Sequence, residues 1–208
     1  LIKQGVVDIA SISPNLYVEA KKQIPGLHYV ATMSSENAKG ETVCGYKGVI
    51  ITLKDSNIKT LKDLKGKTFG FTDIESTSGY LVPMLVLEEA GVSKEDFKKY
   101  YMLKKHDRVV EAVVNRSIDA GATYDEVLIE GVEKYGELFE ILKESDEIPY
   151  DAIVISPNKE ESFKNSVKKA ILNYKSHPST TGEPTGFKDL GDSAYDVIRK
   201  LNKRLYKN

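Results

Sequence analysis

Thr68-Phe-Gly-Phe-Thr-Asp-Ile-Glu-Ser-Thr-Ser-Gly-Tyr80 is the stretch on which the reading of this chain turns. Thr68 to Thr72 are mostly β-branched or aromatic, which suits a half-buried strand. Ser76, Thr77 and Ser78 then stand just before an apolar run, Tyr80-Leu-Val-Pro-Met-Leu-Val-Leu87. Hydroxyls ahead of such a run signal a helix start. A helix start leaves backbone N–H groups without intrahelical partners and carries partial positive charge. With three hydroxyls added it makes a site for a small oxyanion. The plainer alternative is a cap, since Ser and Thr open many helices that bind nothing. Pro83 is expected to remove one i→i−4 bond and kink the second turn.

On the upstream side, Val43 to Leu53 reads as a strand whose continuous apolar centre, Val49-Ile-Ile-Thr52, implies burial on both faces. Before it, Gly5 to Ala10 reads as a strand, Ser13-Pro14 as the cap and first position of a helix to Lys22, and Leu27 to Met33 as a strand. Ser34 to Glu41 is polar and expected to be a loop. Downstream, Gly91 closes the helix, and Ser93 opens another with an acidic first turn. Tyr100 to Leu103, Ile118 to Ala122, Leu138 to Leu142 and Ala152 to Ile155 read as strands. Between them Asp107 to Asn115, with Val109, Val110, Val113 and Val114 on one face, and Tyr124 to Tyr135 read as helices. Lys159 to Lys175 reads as an amphipathic helix, Gly182 to Gly191 as loop, and Asp192 to Lys203 as a last helix. Alternating strands and helices predict an α/β fold with parallel sheets.

Composition removes several function classes. The 208 residues carry a formal net charge of −1, so no global field draws nucleic acid or an acidic membrane. Any anion site must be local. No run approaches the ~20 apolar residues of a membrane span. One cysteine, Cys44, allows no internal disulfide and is expected to be a buried thiol. His28, His106 and His177 lack metal-ligand spacing, so no metal or cofactor is called for. Leu1-Ile-Lys-Gln-Gly5 has no initiator Met and reads as the end of a helix, so the native chain is expected to begin earlier.

Several short stretches occur in a telling order: Val7-Asp-Ile-Ala10, Gly45-Tyr-Lys-Gly-Val49, Leu61-Lys-Asp-Leu-Lys-Gly-Lys67, Ser76-Thr-Ser-Gly-Tyr-Leu-Val-Pro83, His106-Asp107, Ile118-Asp-Ala-Gly-Ala122 and Ile148-Pro-Tyr-Asp151. Nearly the whole chain thereby resembles the phosphonate, phosphite and phosphate substrate-binding proteins of bacterial ABC importers. That resemblance implies a two-lobe Venus-flytrap fold of the type II periplasmic-binding-protein kind, crossed twice by the chain. Residues 1–52 with 149–208 would form one lobe and 53–148 the other. The family carries a strand–helix–strand unit before the stretch matching Leu1, so the first lobe is expected to be incomplete.

The resemblance also implies roles for particular residues in an interlobe cleft. Tyr46 and His106 match ligand-contacting positions, and Ser76, Thr77 and Ser78 match the residues that hold the phosphonate group. Glu126, with Tyr124 and Asp125 beside it, falls where aminoalkylphosphonate binders place an acid for an ammonium, and Asp151 matches a second acid. Ser13 follows a strand end, where ligands of open α/β sheets bind. Read by residue type alone, His106-Asp107 could cap a helix, Glu126 could be a surface acid and Asp151 could shape a turn. The implied function is capture of a small phosphorus oxyanion, without chemistry, by a monomer that delivers it to a membrane permease. The implied place is the periplasm or outer face of the membrane, with room for a lipoprotein anchor upstream. A sensor domain of the same fold is the second hypothesis. An enzyme on a related fold is the third, and the lack of an acid pair or nucleophile–base pair argues against it.

Overall fold

The computed structural model describes residues 1–36, 40–174 and 185–205. Lys175, His177 and the segment 182–184, on which three of the expectations above fall, lie outside the described residues. The chain divides into two compact units. The first comprises Leu1–Gly45 and Pro149–Lys200, and the second Tyr46–Ile148 with the end of the final helix from Leu201. The first boundary between the units falls between Gly45 and Tyr46.

The first unit holds β1 (Ile9–Ile12), α1 (Pro14–Gln23), β2 (His28–Glu36) and β3 (Thr42–Val43). The second unit builds β4 (Gly45–Leu53), β5 (Thr68–Phe71), α2 (Val82–Glu89), β6 (Lys99–Met102), α3 (His106–Val114), β7 (Ala120–Tyr124), α4 (Asp125–Tyr135) and β8 (Phe139–Pro149). Back in the first unit come β9 (Ala152–Ile155), α5 (Glu161–Leu172), β10 (Gly186–Lys188) and the start of α6 (Asp196–Leu205), which ends in the second. Sheet order is β1-β9-β2-β10 in the first unit, with β3 on β2, and β6-β5-β7-β4-β8 in the second.

The fold class is α/β, with strands and helices in both units, but the expectation of parallel sheets is corrected. In the first unit β9 runs antiparallel to both β1 and β2, and β10 and β3 run antiparallel to β2. In the second, β5 is parallel to β6 and β7, while β4 is antiparallel to β7. β4 thus opposes β7, and β9 opposes both β1 and β2. Local corrections follow the same logic of tertiary pairing. The first strand forms at Ile9–Ile12 because it pairs with β9, not at Gly5. Ser34 to Glu36 extend β2, paired to β10 and β3, instead of looping. The helix expected after Ser93 stops as a single tight turn, Lys94–Asp96, behind a capping box. Cys44 is half-buried.

β4 shows why the second unit coheres. Gly48 to Leu53 are all buried, and alternate residues feed opposite faces. Ile50 joins Phe69, Phe71, Leu87 and Phe97 on one side, with Phe69 and Phe97 stacked at 4.9 Å. Val49, Ile51 and Leu53 join the α3 valines Val109, Val110 and Val113 on the other. In the first unit Phe163, Val167 and Ile171, at i, i+4 and i+8 of α5, pack on Val30, Ala31, Ile153 and Ile155.

Candidate functional site

The end of β5 is joined to the helix start by an exchange that Pro83 makes necessary. Pro83 has no N–H, and its ring crowds the carbonyl four residues back, that of Gly79. That carbonyl turns instead to the Thr72 N–H at 3.2 Å. Thr72 can come this close because Gly79 has no side chain: a Cβ there would stand 1.9 Å from Thr72 Oγ1. The opening turn widens accordingly. Thr77–Leu81 is a π-helical turn, in which Leu81 N–H reaches the Ser76 carbonyl at 3.1 Å. Turns of this kind often sit at functional positions. The kink expected at Pro83 is thereby absorbed before α2 begins.

Ser76 caps the turn, its Oγ accepting the Gly79 N–H at 3.1 Å. His106 lies beside it, Nε2 at 3.5 Å from Ser76 Oγ and Nδ1 at 3.3 Å from Thr123 Oγ1. His106 is the first residue of α3, and Asp107 accepts the Arg108 N–H, so the imidazole is not used as a cap. Burial pushes its pKa down to about 4, against a smaller upward pull from Asp107, so the ring is neutral near pH 7. α3 can sit this low because β7 carries Gly121, where a Cβ would meet Val109 at 2.4 Å. Tyr124 meets the His106 ring edge-on at 4.7 Å, and Tyr46 meets Tyr124 at 5.3 Å.

The second unit therefore brings together Ser76, His106, Tyr124 and Tyr46. Thr77 and Ser78 are almost fully buried. Ser78 lies against Gly48 and shares a small cleft with Ser145 and Pro83. Glu126 stands in the first turn of α4. Beside it, Asp125 is anchored to the neighbouring strand. It accepts the N–H of Lys47, next to Tyr46, at 3.1 Å, and burial raises its pKa.

Asp151 and Ser13 belong to the first unit. Asp151 accepts a bond from Ser11 Oγ at 3.3 Å. Burial raises its pKa, and the Ser11 bond offsets part of that rise. Ser13 stands at the N-cap of α1 but makes no side-chain cap bond, contrary to the cap role expected. One polar residue of these clusters, Ser11, was not marked by the sequence. Thr123 to Glu126 was marked by its place after the strand at Ile118 to Ala122, and Thr123 proves to be the penultimate residue of β7.

A family model described as the periplasmic phosphonate substrate-binding protein of ABC transporters matches residues 1–198. The chain belongs to this family. It is 32% identical over 181 residues to a phosphonates-binding periplasmic protein of Escherichia coli, covering 83% of this chain and 52% of that one. The chain thus spans about half the length of that relative. It is 31% identical over 137 residues to a tetrathionate sensor histidine kinase of Salmonella typhimurium, covering 65% of this chain and 23% of the kinase. The fold matches the binding-protein component of an ABC phosphonate transporter from Pseudomonas aeruginosa with TM-score 0.80 and 26% identity, over 97% of this chain and 69% of the other. Such binding proteins have two lobes. Among the described residues, no helix is long and apolar enough to cross a membrane.

Proposed function

We propose that this chain is the ligand-capturing part of an ABC importer and takes a small phosphorus oxyanion: a phosphonate, phosphite or phosphate. The observation that carries the proposal is Ser76, held at the opening of a widened helix start with a neutral imidazole at its side. Those groups offer neutral donors to an oxyanion, and the helix end adds partial positive charge. Thr77 and Ser78 supply the rest of that start, while Tyr46 and Tyr124 wall it. Glu126 is assigned to a ligand ammonium, Asp151 to that ammonium or to a P–OH, and Ser13 is kept as a candidate contact. Capture needs no chemistry, and delivery to a permease requires action in the periplasm or at the outer membrane face.

A thermal-shift screen over phosphite, methylphosphonate, aminoethylphosphonate and phosphate tests this. A ligand at 100 times its dissociation constant stabilises by about 2.7 kcal/mol. At least one of the four is expected to raise Tm by several degrees. The likeness to a sensor kinase supports a second reading, a sensing domain of the same fold. Tetrathionate belongs in the same screen, and a shift with it alone would favour that reading and overturn the first.

A further inference from the structure

We propose that Thr123 is a positioning residue that fixes His106 as the Nε2–H tautomer and thereby turns the Ser76 hydroxyl proton outward as a ligand donor. The argument is an accounting of protons. A neutral imidazole carries one N–H, and each hydroxyl has one proton to give and two lone pairs. Burial keeps His106 neutral. Ser76 Oγ already receives the Gly79 N–H.

Two arrangements fit the heavy atoms. In the first, Thr123 donates to Nδ1, Nε2–H donates to Ser76 Oγ, and both Ser76 lone pairs are then filled. The Ser76 proton must point away from these partners. In the second, Ser76 donates to Nε2, and Nδ1–H donates to Thr123 Oγ1. The Thr123 proton then needs another acceptor. Thr123 is fully buried, and among the described residues His106 is the polar partner of its hydroxyl. The second arrangement strands a buried donor, which costs its full desolvation. The first leaves its one unspent proton on half-buried Ser76 and none on buried Thr123, so the geometry selects it.

The consequence for binding rests on the oxyanion reading given above. In the selected tautomer Ser76 offers an incoming oxygen a donor. In the other, that proton is spent on the imidazole, and the site presents a lone pair to an anion. Thr123 touches no ligand in this scheme. It acts through a chain of two hydrogen bonds.

The test reads the tautomer directly, by long-range ¹⁵N–¹H correlation on protein with ¹⁵N-labelled histidine, the His106 signals being assigned by their loss in His106→Gln. Wild type is expected to show the Nε2–H pattern, and Thr123→Val, which keeps the branched shape, to lose it. Thr123→Ser should restore the wild-type pattern. Calorimetry with methylphosphonate is expected to show Thr123→Val weakened about tenfold or more and Thr123→Ser near wild type. An Nδ1–H pattern in wild type, or an unchanged tautomer in Thr123→Val, overturns the proposal. If Thr123→Val does not fold, the wild-type spectrum and the serine variant still decide. Should wild type bind none of the phosphorus oxyanions, the oxyanion reading fails while the tautomer result stands on its own.

Discussion

The Thr72 N–H donates to the Gly79 carbonyl at 3.2 Å, taking the bond that Pro83, four residues further on, has no N–H to make. The strand and helix start are therefore held together by three residues acting as a unit. Adding a methyl at Gly79 would drive it into Thr72. Gly79→Ala is expected to destabilise by ~2–3 kcal/mol, in the range of overpacked cores. Thr72→Gly should relieve part of this in the double variant, a coupling that a double-mutant cycle from urea melts would measure. Simple additivity of the two single changes would count against the close approach.

Thr72 Oγ1 is buried and has no hydrogen-bond partner among the described residues. Removing a stranded hydroxyl while keeping its shape is commonly neutral or stabilising. Thr72→Val is expected to leave binding intact and to stabilise by up to ~1 kcal/mol. A loss of stability would mean that the hydroxyl is satisfied in solution, for instance by water.

Pro83→Ala gives back an N–H that can compete with Thr72 for the Gly79 carbonyl. The widened turn is then expected to tighten toward an ordinary α-turn, which moves Ser76 relative to His106. Stability should change by less than ~1 kcal/mol, because Pro83 already sits near the start of α2. Methylphosphonate affinity should fall about tenfold, equal to ~1.4 kcal/mol. Calorimetry and urea melts on the same variant separate the two effects.

Much of this arrangement was legible in the sequence, and the part that was not has a common cause. The apolar run around Val49-Ile-Ile-Thr52 and the valine face of α3 announced themselves by period, because burial on one face or two is a local pattern. The strand, hydroxyl turn and helix of residues 68–87 were legible for the same reason. Strand direction was not, since a period of two says nothing about which neighbour a strand meets. The π-turn was hidden because it depends on Thr72 meeting Gly79 across a turn. Thr123 was legible as a residue at a strand end, but its bond to His106 was not. Its use depends on α3 settling on Gly121, which brings His106 down from seventeen residues away.

His106 makes stability depend on pH in a defined direction. Its folded pKa lies near 4, below the usual 6.5. Between those values the unfolded chain binds the proton and the folded chain does not. Stability must therefore rise with pH across this window and be lost as pH falls from about 6.5 toward 4. One differential proton gives a slope of at most ~1.4 kcal/mol per pH unit. His106→Gln should remove that contribution from a series of urea melts between pH 4 and 7. An unchanged slope in the variant would show that the ring is solvated and titrates normally.

Asp151 carries the opposite sign, and its cost at neutral pH is informative. Burial raises its pKa above 3.8, and the Ser11 bond only partly counters this. Between the unfolded and folded values the native state holds the extra proton, so stability falls as pH rises through that window. Above it the cost of a buried carboxylate is fully present. A residue that burdens the fold in this way is expected where function, not stability, selects it. Asp151→Asn should therefore raise Tm at pH 7.5, and the gain should disappear as pH approaches 4. The same variant sorts the ligand roles open to a carboxyl. If Asp151 accepts a bond from a P–OH, phosphite and methylphosphonate affinity should fall as pH passes the ligand's second pKa, and Asp151→Asn should flatten that fall. If it meets an ammonium, only aminoethylphosphonate should lose affinity. Unchanged binding of every ligand, together with no gain in Tm, would return Asp151 to an ordinary turn residue bonded to Ser11.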